Sequence, residues 1–74
     1  MDERLPRVNG FEALAAFQRD GWTIARRSGH VILRHPTKPG RVPVPMHRQD
    51  LAPGTLRAMI RQAGLTVAGF NALL

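Results

Sequence analysis

Trp22-Thr23-Ile24-Ala25-Arg26-Arg27, Ser28-Gly29 and His30-Val31-Ile32-Leu33-Arg34-His35 are the consecutive segments that decide the fold. Two apolar or β-branched runs flank a short Ser-Gly reversal, the pattern of a β-hairpin. Downstream, Thr37-Lys38-Pro39-Gly40 supplies a second tight turn. Arg41-Val42-Pro43-Val44-Pro45-Met46 then alternates with period two. Val42, Val44 and Met46 face one side, and Pro43 and Pro45 the other. Two prolines exclude a central strand, so this segment reads as an edge strand or an irregular one. The expectation is a three-stranded antiparallel meander.

Helices are expected on both sides of the meander in sequence. Asn9-Gly10-Phe11-Glu12 reads as a capping box, with Val8 at the staple position opposite Ala13. The helix it opens runs to about Asp20, and Gly21 supplies the positive-φ stop. Leu14 and Phe17, with Gly10, Ala13 and Gly21, trace one face, on which Trp22 packs. Pro53, followed by Leu56, Met59, Ile60 and Ala63, marks a second amphipathic helix closed by Gly64. Thr66 then caps a short terminal helix presenting Val67, Phe70, Leu73 and Leu74. The order is α-β-β-β-α with a short extra C-terminal helix, an α+β sandwich with helices on one face of the sheet. The other face is free to meet solvent or ligand.

Seventy-four residues form one small domain, residues 1–74, too small to enclose a large cofactor pocket. Any substrate is then a polymer laid across the surface. The 43% hydrophobic content suffices for folding, yet the longest apolar run, residues 13–17, is too short for a membrane span or a signal peptide. The expectation is a soluble cytoplasmic protein. No cysteine is present, so disulfides, cysteine-type zinc sites and thiol catalysis are excluded. The net charge of +6 is unevenly spread: residues 1–20 carry −1, residues 21–64 carry +7 and residues 65–74 none. Ten of the eleven cations are arginine, whose planar fork suits phosphate. Such a surface points to nucleic acid or an acidic protein partner.

Few side chains can carry chemistry. Ser28 is the one serine, and nothing marks a nucleophile elbow around it. His30, His35 and His47 have no metal-ligand spacing, and no metal or cofactor is expected. Histidine among arginines does suit RNA cleavage. A ribose 2′-hydroxyl attacks its own phosphate when a base takes its proton and an acid protonates the leaving oxygen. Guanidinium groups neutralise the developing charge. His30 follows the Ser28-Gly29 turn among Arg26, Arg27 and Arg34. His35, in Arg34-His35-Pro36, reads as a turn residue, and Phe17 and Trp22 as core rather than base-stacking platforms. Gly54-Thr55 could hold a phosphate on free amides, although helix initiation after Pro53 explains them more simply.

Leu5-Pro6-Arg7-Val8-Asn9-Gly10, Gly21-Trp22, Gly29-His30, Arg34-His35-Pro36, Val44-Pro45-Met46-His47, Pro53-Gly54-Thr55-Leu56-Arg57 and Gln62-Ala63-Gly64-Leu65-Thr66 occur in this order. Together they resemble the HicA toxin family across essentially the whole chain. The resemblance implies a double-stranded-RNA-binding-domain-like fold, an mRNA interferase activity and a HicB-type antitoxin that covers the active face. It implies His30 as the catalytic histidine, although the order here is Ser28-Gly29 where the family has Gly-Ser. It places His47 at the end of the third strand, with either an RNA contact or a structural hydrogen bond as its role. The candidate RNA contacts are thus Arg26, Arg27, Arg34, Arg41 and His47. The competing expectations are a non-catalytic RNA-binding module and a protein-interaction module.

Overall fold

The computed structural model describes residues 3–74; Met1 and Asp2, whose charge enters the N-terminal count, lie outside the described residues. Its elements are α1 (Gly10–Arg19), β1 (Thr23–Ser28), β2 (His30–Arg34), β3 (Val42–Pro45), α2 (Pro53–Gln62) and α3 (Val67–Asn71). The strands form an antiparallel sheet in the order β1-β2-β3, the expected meander in an α+β fold. Val31 stands opposite Val44 and Leu33 opposite Val42, and all four are buried. They join Ala13, Ala16 and Phe17 of α1, Leu56, Met59 and Ile60 of α2, and Phe70 of α3 in one core. The helices therefore cover one face of the sheet and leave the other open.

Local signals set the element ends. The Asn9 side chain accepts from the Glu12 amide at 2.9 Å, and Glu12 reaches back to the Asn9 amide at 3.0 Å. Gly21 (φ 100°) and Gly64 (φ 71°) reverse the chain after α1 and α2. At each, the next amide returns to the helix: Trp22 N–H to the Phe17 carbonyl at 3.1 Å, Leu65 N–H to that of Ile60 at 3.0 Å. Thr66 caps α3 by accepting from the Gly69 amide. Prolines at alternate positions of β3 remove donors from one side only, so the strand pairs with β2 and stays an edge.

Two differences from the sequence expectation matter for the site. Ser28 belongs to β1 and stands opposite His30, so Gly29 (φ 75°) alone makes the reversal. More consequentially, the β1–β2 register shifts between Ile24 and Arg26, leaving Ala25 as a bulge. Ile24 pairs with Leu33, but Arg26 pairs with Ile32 and Arg27 with Val31.

Polar clamps hold the ends of α1 and α2 to the second turn. Lys38 donates to the Asp20 carboxylate at 2.5 Å and to the Ala63 carbonyl at 2.9 Å. His35 is a turn residue, as expected. Its Nδ1 accepts from the Thr37 and Lys38 amides at 3.1 and 3.2 Å, and its Nε2 meets the Asp20 carbonyl at 2.8 Å. Trp22 and Phe17 are core, as expected; the indole N–H reaches Asp20 at 3.2 Å and the Phe17 ring meets Phe70 at 5.2 Å. Among the described residues no helix is long and apolar enough to cross a membrane.

Among the glycines, the closest approach to another element lies between α1 and the end of β3. A Cβ built on Gly10 would fall 1.8 Å from the Pro45 carbonyl oxygen and 3.2 Å from the Met46 Cα. Backbone meets backbone there, so no side-chain adjustment relieves the overlap. We predict that Gly10→Ala destabilises the fold by about 1–3 kcal/mol, the range for overpacking. Thermal unfolding should show it, at about 4–8 °C per kcal/mol for a chain of this size. An unchanged melting temperature would mean that α1 need not approach β3 this closely.

Candidate nucleic-acid interface

Paired residues of an antiparallel ladder share a face, and alternation along each strand assigns the rest. On β2, Val31 and Leu33 point into the core, so His30, Ile32 and Arg34 point to the open face. Their partners follow them there: Ser28, Arg26 and Thr23 from β1, and Pro45 and Pro43 from β3. No carboxylate lies among these residues. Glu12 caps α1, and Asp20 is engaged by Lys38 and Trp22 on the helix side.

The bulge decides which arginine reaches this face. With unbroken pairing from Ile24↔Leu33, Arg26 would oppose buried Val31 and Arg27 would oppose His30. The extra residue Ala25 exchanges them, as a one-residue shift must. Arg26 consequently stands diagonally across from His30, a spacing of about 7–8 Å between strands that a long side chain spans. Arg27, though exposed, takes the register of Val31 on the opposite face.

The remaining cations spread along the sheet. Arg34 is four residues from His30, roughly 13 Å at the rise of a strand. It lines a shallow cleft with Arg41, Thr23, His35 and Pro36. Arg41 is exposed and donates to the carbonyl of Gly40. The cationic groups thus form a row beneath which Ile32, Pro43 and Pro45 lay a half-buried apolar stripe. A row of this kind suits a chain of phosphates better than one compact anion.

The three histidines differ in what the fold leaves free. His35 is half-buried with both ring nitrogens engaged. His30 is exposed, and no hydrogen bond to its ring is made within the described residues. His47, just beyond β3, is exposed too, with Nδ1 3.2 Å from the Gln49 carbonyl. That contact engages one ring nitrogen and leaves Nε2 without a hydrogen bond within the described residues. Among the described residues no three His, Cys, Asp or Glu side chains gather as a metal site. Gly54 and Thr55 are exposed in the first turn of α2, after Pro53 at its first position.

Lys38 is the cation whose role charge counting hides. It counts toward the +7 of residues 21–64, yet it is held by Asp20 and Ala63. Only side-chain geometry distinguishes it from the arginines.

A family model described as "HicA toxin of bacterial toxin-antitoxin" matches residues 10–65, from the first residue of α1 to the residue after Gly64. No curated protein matches the chain.

The face assignment predicts unequal arginines. For a 2′-O-methyl oligoribonucleotide, which cannot be cleaved through its 2′-oxygen, affinity should fall with salt. Arg26→Ala and Arg34→Ala should each lower the slope of log affinity against log salt by about 0.7, the single-strand value per phosphate contact. Arg27→Ala should leave it close to wild type. Fluorescence anisotropy across a salt series measures all three; equal losses for Arg26→Ala and Arg27→Ala would show that the bulge does not sort them.

Proposed function

Because the chain belongs to the HicA toxin family, the toxin half of bacterial toxin–antitoxin pairs, we propose that it is a metal-independent endoribonuclease acting on mRNA in the cytoplasm. A HicB-type antitoxin is its inhibitor, covering the open face of the sheet. The residues 1–74 act as one domain in this reading.

The observation that carries the proposal is the setting of His30: an exposed imidazole without a hydrogen-bond partner among the described residues, on an open sheet face that holds arginines and no carboxylate. An unpartnered ring is free to exchange a proton. RNA carries its own nucleophile, so the protein needs only to position the backbone and move protons. His30 takes the proton from a ribose 2′-hydroxyl, and the 2′-oxygen attacks the adjacent phosphorus. The bond to the 5′-oxygen breaks and that oxygen takes up one proton, leaving a 2′,3′-cyclic phosphate and a 5′-hydroxyl. Arg26, diagonally opposite, steadies the charge that builds on the phosphoryl oxygens. Arg34 and Arg41 at the far end of β2 hold a neighbouring phosphate and fix the strand's direction. Arg27 adds longer-range attraction from the other side, and His47 lies at the His30 end.

Contacts of this type read phosphate rather than base edges. The dispersed row of arginines also favours a second reading, an RNA-binding module without chemistry. Purified protein in EDTA separates the two. Wild type should cut a transcript, and His30→Ala should be slower by at least about 100-fold, the lower end for loss of a general base. A 2′-deoxy nucleotide at the cut site should block cleavage. Growth arrest on expression should disappear with the same substitution. Equal cutting by wild type and His30→Ala would remove His30 from the mechanism, and intact RNA retained in a salt-sensitive complex would support the binding module.

A further inference from the structure

Cleavage by transesterification moves two protons: one leaves the 2′-hydroxyl and one must reach the departing 5′-oxygen. A single imidazole at one position supplies one of these steps. We infer that His47 is the general acid that completes the pair with His30; this rests on the ribonuclease reading above.

The register brings the two residues to one end of one face. Pro45, the last residue of β3, stands opposite His30, the first of β2. His47 is two residues further on, so its Cα lies within about 12 Å of that of His30 whatever its torsions, given a pair spacing of about 5 Å and a rise of about 3.4 Å. Contact with the core recurs two residues after Val44, past the end of the strand. Val44 is buried, Pro45 half-buried on the open side, Met46 packed against the core and His47 exposed. With Met46 packed on the core as Val44 is, the same two-residue period carries His47 to the side of Pro45 and therefore of His30.

The segment that carries His47 is anchored at both ends. Before it, the Gly10 backbone closes on the Pro45 carbonyl and the Met46 Cα. After it, the Leu51 amide donates to the Val8 carbonyl at 2.8 Å, and Leu51 is buried. Both anchors tie the loop to the start of α1, so His47 is displayed by a fixed frame. Asp50, the nearest carboxylate in sequence, lines a cleft with Arg7 and Arg57.

Hydrogen bonding then orients the ring. The Gln49 carbonyl only accepts, so Nδ1 of His47 carries a hydrogen and donates to it. This bond is the same in the neutral ring and in the imidazolium, so the ring keeps its place throughout the proton cycle. Nε2 is left as the working atom. In the imidazolium it bears the second N–H, which goes to the 5′-oxygen as the P–O bond breaks. His30 ends with the proton of the 2′-hydroxyl, and exchange with water restores both rings. Atoms and charge balance without a co-reactant.

The test uses full-length protein and a short RNA spanning the cut site mapped with wild type. Its cleavable linkage carries either the natural bridging 5′-oxygen or sulfur in its place. A thiolate leaves without a proton, so sulfur relieves the need for an acid but not for a base. His47→Gln should cut the natural RNA about 100-fold more slowly than wild type. It should cut the sulfur-bridged RNA within a few-fold of wild type. His30→Ala should be slow on both. Circular dichroism and anisotropy with the 2′-O-methyl strand check that His47→Gln folds and binds RNA; His47→Asn, tested in parallel, covers a failure of His47→Gln to fold. His47→Gln equal to wild type on natural RNA overturns the inference. So does equal slowing on both substrates, which marks a binding or positioning role, and so does rescue of His30→Ala by sulfur, which reverses the two roles. Inert wild type overturns the ribonuclease reading and this inference with it, whereas active wild type beside an unaffected His47→Gln overturns this inference alone.

Discussion

The contact between the first residue of α1 and the last of β3 is the constraint from which the working surface follows. A glycine at position 10 lets helix backbone sit against the Pro45 carbonyl, closer than any side chain allows. That approach places α1 over the Val31, Leu33, Val42 and Val44 side of the sheet, and the apolar side chains of α2 and α3 complete the same core. Covering this side leaves the opposite one bare, and His30, Arg26 and Arg34 are the residues left there. The same contact fixes the exit of β3 and so the start of the loop that carries His47. One steric requirement thus couples the core to the surface chemistry.

The electrostatics follow from a division of labour among like charges. The described carboxylates near the sheet are absorbed by structure: Glu12 by the cap of α1, Asp20 by Lys38 and Trp22. Their removal from the open face leaves its arginines uncompensated there, as a consistently positive row. Lys38 makes this possible by engaging the acid at the end of α1. A cation in the sequence is therefore not always a cation at the interface, and the difference lies in side-chain reach that composition does not record.

Much of the fold is legible because its signals are local. Asn9 and Glu12, Gly21, Gly64 and Thr66 each satisfy backbone groups within a few residues, so the pattern and the geometry are nearly the same statement. The β3 edge is equally readable, since prolines at 43 and 45 act on their own backbone. The bulge at Ala25 is not readable. Ile24 is the one large apolar residue of β1, and Ala25, Arg26 and Arg27 give no alternation to fix a register, which is settled instead by pairing with β2. The sequence therefore groups Arg26 with Arg27, whereas the sheet puts them on opposite faces. Gly10 shows a similar limit: its place in the capping box is local, but its need to be glycine comes from a carbonyl thirty-five residues away.

The histidines show how a fold divides one chemical type among different uses. A ring can exchange protons only through a nitrogen that the structure leaves open. In His35, Nδ1 accepts from two amides and must lack a hydrogen, which puts the hydrogen on Nε2, facing the Asp20 carbonyl. With both nitrogens engaged, this ring is a strut for the turn. Gly21 seals the arrangement, since a Cβ there would lie 2.8 Å from the Nε2. His47 has one nitrogen tied and one open, and His30 has neither tied within the described residues. Sequence neighbours do not order these rings: Arg34-His35 looks as basic a setting as Arg27-Ser28-Gly29-His30. Backbone donors and acceptors do, because they decide which lone pairs remain available. Which histidine nitrogens stay open in this small fold is thus set by where the turns put their amides and carbonyls.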